Sequence, residues 1–185
     1  AVGTETLKAL TLGANNIALG KNSLLALTGN RSVSLGNVAV GFNTLSSMTT
    51  GTFNVAIGNT NLEATTSANS VVSIGNDVAK PFTGTIAEAV LIGNKVLANT
   101  TATNVNDAII IGQNSGLATA GTLTNDILIG RGSFNGNTSG GNNIAIGGSA
   151  NQQQGITTID TSIAITTRDG LGPGGSASSF GIVIS

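Results

Sequence analysis

One short phrase recurs along this chain, and no other feature narrows the possible folds as far. Asn37-Val38-Ala39-Val40-Gly41 is followed seventeen residues later by Asn54-Val55-Ala56-Ile57-Gly58. In its general form, apolar, variable, apolar, glycine, the phrase stands at 17–20, 33–36, 38–41, 55–58, 72–75, 90–93, 109–112, 127–130 and 144–147. From Gly41 onward the closing glycines are 17, 17, 18, 19, 18 and 17 residues apart. A fixed period of this size marks a stack of units, each too small to bury an apolar face alone.

The positions one and three before each glycine are always Val, Ile or Leu, a period of two that belongs to a strand with one buried face. The closing glycines, Gly20, Gly36, Gly41, Gly58, Gly75, Gly93, Gly112, Gly130 and Gly147, suit a corner where the chain turns through positive φ. A second glycine often stands seven residues earlier, as at Gly13, Gly29, Gly51 and Gly140, and a second apolar anchor follows at Leu24, Leu45, Leu62, Val78, Leu97, Leu117 or Phe134. Two inward segments per repeat predict an all-β fold: a parallel β-solenoid of eight or nine coils, each hydrogen bonded to the next. With about 4.8 Å between coils, the rod is about 40 Å long. The residue before the strand is often Asn or Ser (Asn16, Ser32, Asn37, Asn54, Asn143), with Val71, Ala89, Ala108 and Asp126 as departures. Stacked Asn side chains are expected to hydrogen bond up and down the rod as a ladder.

If the flanking Val and Ile face inward, the middle residue of each strand faces outward. Leu91, Ile110 and Leu128 then form an exposed stripe on three successive coils, with Ala56 and Ala145 allowing close approach on the same face. A stripe of that kind calls for a partner, so these five residues are the expected interface of a homo-oligomer closed by cyclic symmetry.

Composition removes several function classes. Seven basic residues among 185, with no Trp or Tyr, leave neither a phosphate-neutralising patch nor a base-stacking platform, so nucleic acid is not an expected partner. The 39% hydrophobic content, gathered into regular clusters, argues against a disordered linker. With no His and no Cys, the usual general base, thiol nucleophile and soft metal ligands are missing, and no cofactor, metal site or catalytic residue is expected. Of the eight carboxylates, Asp107 and Asp126 are the nearest to a stacked pair, since both precede a strand and both follow Asn. No apolar run approaches the roughly 18 residues of a spanning helix, so membrane insertion is not expected. A first residue other than Met suggests a processed or partial chain.

The stretches 37–62 and 140–150 resemble the Asn-x-Ala-x-Gly repeats of phage tail fibres and, more distantly, the head domains of YadA-type trimeric autotransporter adhesins. The resemblance implies a left-handed parallel β-roll assembled as a homotrimer, and attachment to a surface. Adhesin heads typically repeat near fourteen residues, so the period of 17 to 19 favours the phage-fibre version. The expected function is therefore a structural and adhesive module of a virion appendage: a rigid spacer, with other fibre or virion proteins as partners and a host-surface glycan as a further one. The alternative is a bacterial cell-surface adhesin head. A polysaccharide-degrading tailspike and an ice-binding solenoid, which would want regular Thr-x-Thr rows, are more remote. Residues 1–12 are expected to form a cap or junction, 13–150 the solenoid, and 151–185 a second cap or junction. The stretches 63–69, 79–88, 98–107, 118–125 and 131–142 are expected to be polar loops, the places where hydroxyl and amide groups would meet a glycan.

Overall fold

A computed structural model describes residues 1–11, 14–28, 36–98, 101–116, 120–133, 140–148 and 163–165. In chain order the strands are β1 (Ile17–Leu19), β2 (Val38–Val40), β3 (Thr50–Thr52), β4 (Val55–Asn59) and β5 (Ser67–Asn69). They continue as β6 (Val72–Asn76), β7 (Thr85–Ala87), β8 (Val90–Asn94), β9 (Thr101–Asn106) and β10 (Ile109–Ile111). The series closes with β11 (Ala120–Thr124), β12 (Ile127–Ile129), β13 (Gly140–Gly141), β14 (Ile144–Ile146) and β15 (Ile163–Ile165). All pair in parallel, and the described residues include no helix. The first sheet has nine strands in the order β1-β2-β4-β6-β8-β10-β12-β14-β15, and the second has six in the order β13-β11-β9-β7-β5-β3. The chain is thus a β-solenoid, with six coils that carry a strand in each sheet.

The phrase lies in the first sheet in strict register: Ala56 pairs with Ala39 and Ser73, and Gly58 with Gly75. Each closing glycine sits against the next one. Gly58 has φ +138, and a Cβ there would run into the carbonyl oxygen of Gly75, so this corner accepts glycine alone on two counts. Gly36 is the exception. It directly precedes Asn37 and has φ +58, like Phe53 (φ 59) before Asn54, so it is the corner that enters a strand and not the one that leaves it. The rest of its phrase, 33–35, lies outside the described residues.

The structure corrects the facing of the strand. From β1 to β14 the first-sheet strands bury their middle residue and turn the flanking ones outward: Ala39, Ala56, Ser73, Leu91, Ile110, Leu128 and Ala145 are fully buried within one chain, whereas Ile57, Val72, Ile74 and Ile109 are more than a third exposed. Leu91, Ile110, Leu128, Ala56 and Ala145 therefore form core and not an interface. The ladder residues set the phase. Asn54 is buried and donates through Nδ2 to the carbonyl of Ala68 across the coil (2.7 Å), and strict alternation from an inward Asn54 sends Val55 out, Ala56 in and Ile57 out.

The expected ladder is present. Oδ1 of Asn16 accepts from the backbone N–H and Nδ2 of Asn37 (3.1 and 3.2 Å), Oδ1 of Asn37 accepts likewise from Asn54 (3.1 and 2.9 Å), and Oδ1 of Asn54 accepts from the N–H of Val71 (3.1 Å). Val71, Ala89 and Ala108 continue the row as buried apolar residues, and it turns polar again where Asn143 donates to Oδ1 of Asp126 (2.9 and 3.0 Å). Ser32 lies outside the described residues.

Leu24, Leu45, Leu62 and Leu97 are fully buried, but they lie at turns and not in a second strand, each with φ between 50 and 53°. A left-handed leucine costs about 1–2 kcal/mol of backbone strain, which its complete burial offsets at about 1.5–3 kcal/mol. Leu117 and Phe134 lie outside the described residues. The second sheet instead runs through stretches expected to be loops: β5, β7, β9, β11 and β13 occupy parts of 63–69, 79–88, 98–107, 118–125 and 131–142.

Backbone pairing extends into both segments expected to be caps or junctions. Val2 bridges to Leu19, the N–H of Leu7 bonds to the carbonyl of Ser23 (3.1 Å), and that of Ala9 to Leu25 (3.1 Å), so residues 2–9 stack as part of a coil. At the other end β15 adds to β14 in register within the expected cap; 151–162 and 166–185 lie outside the described residues.

Candidate interaction surfaces

The solenoid presents two flat outer faces of opposite character. On the first sheet the outward residues form two columns: Ile17, Val38, Val55, Val72, Val90, Ile109, Ile127 and Ile144 in one, and Leu19, Val40, Ile57, Ile74, Ile92, Ile111, Ile129 and Ile146 in the other. Neither column contains a polar residue. Ile17 is 58% exposed and Ile74 37%. Phe53 (61%) and Phe42 (43%) extend the apolar surface round its two edges, one at the corner entering β4 and one just past the end of β2. Strands of three residues and the eight strands from β1 to β14 give a strip about 10 Å wide and 34 Å long.

The second sheet has the reverse chemistry. Its inward row is Gly51, Ala68, Ile86, Val105 and Leu123, all buried. Outward, one row is Thr50, Ser67, Thr85, Asn104 and Thr122, and the other is Thr52, Asn69, Ala87, Asn106 and Thr124. A third row, Thr11, Thr28, Thr49 and Thr66, runs along the near corner, each of the first three hydroxyls donating to the carbonyl of the next (3.1, 3.2 and 3.4 Å). None of these fourteen side chains is charged.

The carboxylates do not converge. Asp107 is an exposed left-handed corner residue (φ 52), in a row with Glu88 and Asn125, whereas Asp126 is fully buried one row further in. These two, the nearest to a stacked pair in the sequence, are offset by one residue, because Asp107 precedes its strand by two positions and Asp126 by one. Among the described residues no three His, Cys, Asp or Glu side chains come together. Asp77 accepts a short hydrogen bond from the Thr60 hydroxyl and lies 3.5 Å from Lys80 Nζ; the hydroxyl above all holds its carboxyl below the ordinary value, burial opposes this, and Lys80 and Asn76 add to the lowering. Glu5 is lowered by its hydrogen bond and charge contact with Lys8 (2.8 Å), at an exposed site.

Sequence reasoning found the strands that carry the apolar strip but assigned the strip to the interior. It missed the second sheet, whose signal was the alternation of Thr with a small or apolar residue at 50–52 and 122–124. Comparison with family models, curated proteins and solved structures gives no match to this chain, so the functional argument rests on its surfaces.

Proposed function

We propose that this chain is a structural and adhesive module: a homotrimeric β-solenoid segment of a phage tail fibre or related virion appendage, serving as a rigid spacer that holds a receptor-contacting part away from the particle. The observation that carries the proposal is the apolar outer face of the first sheet. A strip of about 10 by 34 Å is comparable with the largest apolar patches found on monomers, and it is continuous from β1 to β14. A second copy offering the same face is its natural cover. At about 25 cal/mol per Å2, pairing such strips offsets the cost of association, and cyclic closure leaves no strip uncovered. The trimer number and the virion setting come from the repeat's likeness to fibre sequences, and the face inward of each copy is the Val/Ile face, not the middle residues.

Light scattering on the wild-type chain and on an Ile57→Lys/Ile74→Lys variant tests this. The expected result is a mass of three chains for the wild type and one for the variant, whose far-UV circular dichroism is unchanged because both side chains point away from the core. A wild-type chain that is a monodisperse monomer would overturn the proposal.

A further inference from the structure

We infer that the outer face of the second sheet is a binding surface for an extended, uncharged polysaccharide. This deepens the adhesive part of the proposed function and stands apart from the trimer, since the face belongs to a different sheet from the apolar strip.

Three observations carry it. The first is chemical: the outward rows Thr50/Ser67/Thr85/Asn104/Thr122 and Thr52/Asn69/Ala87/Asn106/Thr124 offer hydroxyl and amide groups at nine of ten positions. Such groups both donate and accept hydrogen bonds, as sugar hydroxyls do.

The second is electrostatic. The rows hold no cation; Glu88 and Asp107 stand exposed in the corner row at the far edge, and Lys80, at the near corner, is engaged with Asp77. A face of this kind repels acidic polymers and has nothing with which to recognise phosphate or sulfate. A neutral polyol carries no charge to leave unpaired there, and it is the occupant that the electrostatics fit.

The third is order. The Thr52 hydroxyl and N–H both donate to Oδ1 of Asn69 (3.3 and 3.2 Å), and the Thr11, Thr28 and Thr49 hydroxyls are committed to carbonyls of the adjacent coil. Side chains already held in one rotamer lose little freedom on binding. The rows repeat about every 4.8 Å along the rod, close to the advance of one sugar ring in an extended chain. Each coil thus repeats the contact for the next sugar, and weak contacts add along the polymer. Ice is a poorer fit, because Ala87 and the three Asn residues interrupt the Thr rows.

Affinity electrophoresis through gels containing dextran, mannan or hydroxyethylcellulose, with alginate as the anionic comparison, tests the inference. The wild-type chain and a Thr50→Ala/Thr85→Ala/Asn106→Ala variant are run side by side after light scattering has fixed the mass of each. The expected result is retardation in at least one neutral gel and none in alginate, with binding at least about tenfold weaker in the variant, since three hydrogen-bonding groups are lost. No retardation in any neutral gel overturns the inference, because the rows do not select one sugar. Equal retardation of the variant, stronger retardation in alginate, or shaping of growing ice crystals by the wild type would overturn it as well. Should the triple variant lose its melting transition, Thr85→Ala and Asn106→Ala taken singly make the same comparison. A wild-type monomer that is retarded would remove the trimer and leave the glycan face standing; an unretarded trimer would do the opposite.

Discussion

The solenoid contains two kinds of coil on one backbone plan. Those closing at Gly58, Gly75 and Gly147 take 17 residues each, and those closing at Gly93, Gly112 and Gly130 take 18, 19 and 18. Their interiors differ accordingly. In the 17-residue coils the first-sheet inward residues are Ala56, Ser73 and Ala145; the second sheet contributes Gly51 and Ala68 to the first two, and Gly140 aligns with Leu123 in the third. In the longer coils the inward residues of the two sheets are Ile86 and Leu91, Val105 and Ile110, and Leu123 and Leu128, all fully buried. The longer coils thus carry the larger inward side chains. The first coils also carry the amide ladder through Asn37 and Asn54, so directional hydrogen bonds hold their register, whereas Val71, Ala89 and Ala108 leave the following coils to packing.

The largest effects should come from exchanging interiors. Leu91→Ala empties part of a longer coil and is expected to cost about 2–5 kcal/mol in urea unfolding. Its converse, Ala56→Leu, should cost about 1–3 kcal/mol through overpacking; a neutral Ala56→Leu would mean that the 17-residue coil has room for the larger side chain. Next comes the ladder. Asn54→Ala leaves the N–H of Val71 and the carbonyl of Ala68 without the partners they now have, at about 1–3 kcal/mol, whereas Ala89→Ser, in the apolar part of the same row, lacks that ladder and should destabilise only through the burial of its hydroxyl. Thr49→Val, which removes a hydroxyl donor from an exposed row, should cost less than about 1 kcal/mol.

The smallest effect is a dependence on pH. The Asp77 carboxyl is held below its ordinary value in the folded chain, so the stabilisation is full above the unfolded carboxyl's range and is lost as the pH falls from about 4 through the folded value. At a largely solvated site it amounts to well under 1 kcal/mol. Melting temperatures of wild type and Asp77→Asn should draw together below pH 4 and separate slightly above it.

The period, the strands and the stacking glycines were legible because each rests on a local rule: β-branched residues at every second position, and a corner that leaves no room for a Cβ. The facing of the strands was not. A pattern such as Val55-Ala56-Ile57 fixes alternation but not which half points in, and the rule that large apolar residues go inside fails where the outer face is itself apolar and the interior of the coil too narrow for them. Two clues were present. Val90-Leu91-Ile92 and Ile109-Ile110-Ile111 are apolar on both faces, as strands covered on both sides tend to be. An Asn ladder inside the coil also requires the next residue to point out, so an inward ladder and inward flanking residues exclude each other. The second sheet was hidden by composition, since Thr, Ser and Asn at 50–52, 67–69 and 104–106 read as turn residues. The left-handed corners at Leu45, Ala79 and Lys95 had no signal, because only Gly, Asn and Asp advertise that conformation.

The central claim is that the first-sheet strands from β1 to β14 bury their middle residue and turn its neighbours outward. The chain has no cysteine, so single exchanges at adjacent positions, Ser73→Cys and Ile74→Cys, each introduce its only thiol. Maleimide labelling and mild oxidation of the folded protein then compare the two faces of one strand directly. The expected result is that the Ser73→Cys thiol stays inert until the chain unfolds, while the Ile74→Cys thiol is labelled or joins to a second copy. A Ser73→Cys thiol that reacts in the folded chain while Ile74→Cys stays protected from both reagents would contradict the account.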